Sequence, residues 1–186
     1  MTGIATRESN YLHFCIPNEN CTTGQGLLYN RQDYWPHESL DNTASHIGLM
    51  QVLTTMESAW DWLKNSETAV DLFAGDKLRF AKTNERYIRH GVPKQKISGH
   101  VGLRALTDVE RENMALVLYG PFAPPANLSL ATKLVMQYYI PECRFGTVVQ
   151  KNQDLECQGG VWTWVSNLTG NLNGASYADS IRADMK

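Results

Sequence analysis

No stretch of this chain is apolar for long enough to cross a membrane. The longest apolar run, Met114 to Ala126, is interrupted by Gly120, Pro121, Pro124 and Pro125 and falls short of the ~20 residues a helical span needs. Met1 to Glu8 hold neither a basic stretch nor an apolar one, so no secretory signal is read there and an intracellular protein, or part of a nucleoprotein particle, is expected. Cysteine is sparse. Cys15 and Cys21 are separated by five residues and Cys143 and Cys157 by thirteen, and neither spacing matches paired zinc knuckles. No metal site is expected, and without secretion the four thiols are expected to be reduced and mostly buried. The sequons at Asn20, Asn127 and Asn167 carry no weight on the same ground.

Nucleotide and catalytic signatures are missing as well. Gly24-Gln25-Gly26 lacks the third glycine of a dinucleotide turn, no Walker lysine follows a glycine-rich loop, and no serine sits in G-x-S-x-G. His37-Glu38 has Asp41 where a zinc-protease helix needs its second histidine, with Pro36 just before it. No cofactor is expected.

What is present suffices for a core. The chain has 186 residues, 42% hydrophobic and 19% charged, which excludes wholesale disorder and fits one domain with terminal arms. Residues 1–45 read as an extended arm rich in Asn, Gly and Thr, with Tyr29, Tyr34 and Trp35 unplaced by any period. From Ile47 to Leu63 apolar residues recur at three- and four-residue steps, predicting a core helix capped by Thr43 or Ser45. Ser66 is read as capping a short turn that Gly75-Asp76 breaks. A helix from about Lys77 to His90 should stop at Gly91 and Pro93. Thr107 to Glu110 has capping-box spacing for the next helix, and Ser129 can cap another that buries Leu130, Leu134, Val135 and Tyr138 before Pro141.

After Pro141, residues 144–150 and 161–165 read as strands that pair in a hairpin, followed by an amphipathic helix from Ala175 to Met185 carrying Tyr177 and Ile181. The fold expected is mainly α. A single helical core of four to five helices spans 46–141, after an extended N-terminal arm (1–45) and before a small β-hairpin plus helix (142–186).

Charge is distributed unevenly. Between Lys77 and Arg104 eight basic residues face a single acid, Glu85, a balance of +7, while the remainder carries −9. At about 100° per residue, Arg79, Lys82, Arg86 and Arg89 fall on one strip of the 77–90 helix, with Phe80, Ala81, Tyr87 and Ile88 on the opposite, core-facing side. Closely spaced cations repel, and an ordinary solvated face intersperses acids. Such a strip, with Lys94, Lys96 and Arg104 beyond it, suits phosphates; the plain alternative is a solvated face, or pairing with acids such as Glu110, Glu112, Asp61 or Asp71.

The function expected is therefore a non-enzymatic, sequence-independent RNA-binding structural subunit. It would be coat- or nucleocapsid-like and would assemble into a homo-oligomer through its terminal arms, with RNA or another polyanion as partner and no membrane. Two other readings use the same segment. His90 and His100 with Lys94 could serve a metal-independent ribonuclease, or the strip could dock an acidic protein partner.

Overall fold

A computed structural model of the chain describes residues 1, 3–5, 14–15, 28–29, 46–47, 50, 52–53, 61–119, 127–167 and 172–185. Most of the expected N-terminal arm lies outside them. The chain divides into two compact units, Met1–Leu72 with Asp179–Lys186, and Phe73–Ala178.

In the first unit, β1 (Phe14–Cys15) pairs in parallel with β2 (Leu28–Tyr29), and β3 (His46–Ile47) pairs antiparallel with β4 (Val52–Leu53). The helix expected over 47–63 is thus corrected. Ile47 and Val52 are register partners in the two strands, and residues 48–49, 51 and 54–60 lie outside the described set. Apolar spacing alone could not separate strand from helix over so short a stretch.

Helix α1 (Trp62–Asp71) begins instead at Asp61, whose carboxylate accepts from the backbone N–H groups of Leu63 and Lys64 at 2.9 and 3.3 Å. Asn65 is fully buried and accepts from Met50 N at 2.9 Å, tying α1 to the turn between β3 and β4. Ser66 is not a cap, since its hydroxyl donates to Trp62 O within the helix. Gly75 and Asp76 do not break the chain either. They lie inside a π-helical segment, Leu72–Lys77, because a glycine weakens a helix by about 1 kcal/mol without forbidding it.

The second unit carries α2 (Leu78–His90), a 3₁₀ turn (Pro93–Gln95), α3 (Asp108–Tyr119) and α4 (Leu130–Val135). Gly91 ends α2 at φ +69°, where a Cβ would meet Ile97 O at 2.6 Å and Gly99 N at 2.7 Å. Only glycine allows that close return of the chain. Ser129 caps α4 by accepting from Thr132 N, but α4 is short, and Val135 is exposed while Leu134 and Tyr138 are buried.

The mainly α expectation is overturned. Of the described residues about half are helical and about a fifth lie in strands, most of the strand residues in the second unit. There β5 (Tyr139–Arg144) pairs antiparallel with β8 (Val161–Ser166), and β6 (Thr147–Lys151) with β7 (Asp154–Gln158). The two runs expected to form one hairpin meet only at Arg144↔Val161. Pro141 lies inside β5 opposite Trp164, and the polar strand β7 has no propensity signal of its own.

Cys143 of β5 and Cys157 of β7 form a disulfide with Cα atoms 5.4 Å apart, so the expectation of reduced thiols is corrected for this pair. Cys21 and the side chain of Cys15 lie outside the described residues. Helix α5 (Leu172–Asp184) buries Tyr177 and Ile181 as its period predicts.

The core of the second unit gathers Ile88, Leu103, Leu106, Met114, Val117, Leu134, Trp162 and Trp164, and Trp164 Nε1 donates to Arg104 O at 3.0 Å. The expected capping box is present at the start of α3. Glu110 N donates to Thr107 Oγ1 at 3.2 Å, and Thr107 N donates to Glu110 Oε2 at 2.7 Å.

The Arg104 guanidinium also grips Glu110 with two bonds of 2.7 Å. It holds the Glu110 carboxyl down at about 2, against an ordinary 4.5. A depressed carboxylate contributes stability that is complete above its unfolded value and is lost as pH falls through the folded one. Urea titrations between pH 4.5 and 2 should therefore show a loss that Glu110→Gln lacks. Equal slopes in both proteins would contradict this assignment.

Candidate nucleic-acid interface

The orientation of α2 decides which of its cations face water. Ala81, Asn84, Glu85 and Ile88 are its buried residues, a stripe with one-turn spacing. Measured from Arg79, that stripe covers about 140–240° around the axis, with Lys82 near 300°, Arg86 near 340° and Arg89 near 280°. Lys82 and Arg86 point to solvent, whereas Arg89 borders the stripe beside Glu85. Phe80 is 40% exposed and Tyr87 half-buried, so the aromatic anchors expected beneath the cations flank the buried face instead. The true stripe contains Asn84 and Glu85, which a reading weighted by hydrophobicity places outside.

The seven cations meet different fates. Arg79 lies 3.4 Å from Asp76, both well exposed, a loose pair of little energetic weight. Arg89 is drawn inward, with NH1 3.6 Å from Glu85 Oε1 and Nε donating to Leu103 O at 3.0 Å. Arg104 is committed to Glu110. Lys82, Arg86, Lys94 and Lys96 are exposed and pair with no carboxylate among the described residues. The Arg86 guanidinium lies 5.7 Å from the Tyr87 ring centroid, within cation–π range.

Lys94 belongs to the 3₁₀ turn and Lys96 to its left-handed cap, at φ 56°. That turn is fixed beside the end of α2, because Val92 N donates to Ile97 O at 2.8 Å and Ile97 N to Val92 O at 3.3 Å. Arg86, Lys94 and His90 thereby line one cleft of about 620 Å³, walled by Tyr87, Val92 and Pro93.

A neighbouring cleft of about 380 Å³ brings His90 and His100 together with Asp154 and Arg89. Residues 99–101 run along the outer edge of β7. Leu155 N donates to Gly99 O at 2.8 Å, and Val101 N donates to Leu155 O at 3.0 Å. His100 Nδ1 lies 2.7 Å from Ile88 O, and since a carbonyl can only accept, Nδ1 carries the proton. The ring packs edge-on against Trp162 at 4.7 Å, and burial pushes its pKa below the ordinary histidine value.

Lys94 lines only the larger cleft, so the three residues of the ribonuclease expectation do not share one cavity. Asp154, Tyr87 and Pro93 are site residues that the sequence did not reveal. The tertiary pairing of β7 brings in the first, and the return of the chain after Gly91 brings in the others. Among the described residues no three His, Cys, Asp or Glu side chains are grouped as a metal ion requires, and no helix is long and apolar enough to cross a membrane. No protein-family model matches the chain, and comparison with curated proteins and with solved structures found no match.

Proposed function

We propose that the chain is a non-enzymatic structural subunit that binds single-stranded RNA without sequence preference, its phosphates meeting Lys82, Arg86, Lys94 and Lys96. The observation that carries this reading is that all four are exposed and none forms an ion pair with a carboxylate among the described residues. Like charges left together in an otherwise acidic chain cost free energy, and a polyanion relieves that cost while releasing counterions. Arg89 and Arg104 serve the fold and are not part of the proposed contact.

Assembly into a coat- or nucleocapsid-like homo-oligomer is the second half of the proposal. Phe145, Val148 and Val161 are each exposed, Phe145 to 94%, apolar surface of the kind that association covers. The Cys143–Cys157 bond favours an oxidising environment, such as an extracellular particle, over the reducing cytosol.

The affinity for a single-stranded RNA oligomer, measured against salt, should give a log–log slope of about −3 if the four cations neutralise four phosphates. Replacing all four by Gln should bring the slope near zero at unchanged stability. An unchanged slope would remove this ridge of four cations, Lys82, Arg86, Lys94 and Lys96, from the contact. Protein purified without nuclease should elute above monomer size with nucleic acid bound; a nucleic-acid-free monomer would count against both halves.

One observation favours a second reading, since His90 and His100 line a common cleft with Asp154. In it His100 Nε2 takes the proton of a ribose 2′-hydroxyl, the 2′-oxygen attacks phosphorus, and His90 protonates the departing 5′-oxygen. RNA left intact by the same preparation in chelator would end this reading.

A further inference from the structure

The larger cleft has a shape and a lining that the phosphate ridge alone does not need. Its volume of about 620 Å³ lies within the roughly 300–1,000 Å³ of small-molecule sites. Its walls are mainly apolar, with Tyr87 and Pro93 contributed by two different segments, the last turn of α2 and the 3₁₀ turn. The cations at this cleft, Arg86 and Lys94, belong to the proposed ridge.

A ligand that satisfies both features has a planar, weakly polar body joined to a phosphate. We infer that the cleft receives one unstacked base of a bound single strand, held against Tyr87 and Pro93, while the phosphate attached to that nucleotide meets Arg86 and Lys94. The inference rests on the RNA-binding reading and adds what that reading leaves open, namely why the site should prefer single strands. In a duplex the bases are stacked and paired, so none is available to the cleft, whereas stacking on an aromatic ring is tolerant of sequence. An acidic peptide offers the charge without the planar group and would leave the apolar walls in water.

The test compares three probes of equal length on the full chain: oligoadenylate, an abasic ribose-phosphate oligomer, and duplex RNA. Oligoadenylate should bind about tenfold more tightly than the abasic strand at each salt concentration, equivalent to about 1.4 kcal/mol. The salt slopes of the two should agree, because the phosphates engaged are the same. Duplex RNA should bind no better than the abasic strand. Tyr87→Leu should bring oligoadenylate down to the abasic level and leave abasic binding alone, while Tyr87→Phe should keep the preference.

Equal binding of oligoadenylate and the abasic strand to the unmodified protein overturns the base site and leaves the ridge standing. A preference that survives in Tyr87→Leu also overturns it, since the base would then dock elsewhere. If neither strand binds, the RNA reading falls first and the base site falls with it. The comparison on unmodified protein needs no variant, so the inference remains exposed to refutation even if Tyr87→Leu does not fold.

Discussion

Glu85→Ala is expected to destabilise the second unit by about 3–5 kcal/mol, the range for breaking a buried ion pair by removing one partner. Glu85 is only 4% exposed. Its Oε2 accepts from Arg111 Nε at 2.7 Å, its Oε1 accepts from Leu106 N at 3.0 Å, and Arg89 NH1 lies 3.6 Å away. Without the carboxylate, the Leu106 N–H loses its acceptor. Two guanidinium groups are left close together, of which Arg111 keeps Asp108 at 2.8 Å and Arg89 keeps the Leu103 carbonyl.

Urea unfolding reads the loss directly, and the melting temperature should fall by on the order of 10 °C. Glu85→Gln keeps an acceptor for Leu106 N and should cost less than the alanine. A change under about 1 kcal/mol in Glu85→Ala would mean that the carboxylate is solvated and does not join α2 to α3. The RNA salt slope should hold in any Glu85 variant that remains folded, because the four ridge cations do not touch this carboxylate.

What could be read from the sequence was local. The stop of α2 at Gly91 and Pro93, the reciprocal bonds of Thr107 and Glu110 and the cap at Ser129 each depend on residues within a few positions of one another. Local rules govern such features wherever the chain goes. Which cations remain free was not local. Arg89 falls about 20° nearer to Glu85 around the helix than Lys82 and about 60° nearer than Arg86, and Glu85 is buried because Arg111 and Leu106, 26 and 21 residues away, supply its hydrogen bonds.

The same holds for the sheet. Asp-Leu-Glu-Cys-Gln has no strand signature, and it becomes β7 through β6 on one side and the backbone of residues 99–101 on the other. The mainly α expectation failed there because strand propensity is largely a property of neighbours. The His90–His100 cleft was missed as a cavity for the same reason, since Asp154 reaches it only once β7 is in place.

Removal of the Cys143–Cys157 bond is the second large effect expected. The half-cystines are 14 residues apart in sequence, and closing a loop of this length contributes about 3 kcal/mol by restricting the unfolded chain. The double variant Cys143→Ser, Cys157→Ser, or the native protein with reductant, should lose about that much by denaturant unfolding. A loss below about 1 kcal/mol would show that the strands keep their register without the bond.

The position of the bond also separates the two clefts. It joins β5 to β7, and β7 in turn holds residues 99–101 through Leu155, with His100 packed on Trp162 of β8. Loosening this region should raise amide exchange at Gly99, Val101 and Leu155 and disturb the placement of His100. The ridge lies on α2 and the 3₁₀ turn, whose bonds run from Tyr87 O to Gly91 N and between Val92 and Ile97, so RNA affinity and its salt slope should be nearly unchanged. RNA cleavage that disappears on reduction while binding persists would assign chemistry to the histidine cleft. Binding that fails together with the disulfide would place the RNA contact on the strands and away from α2.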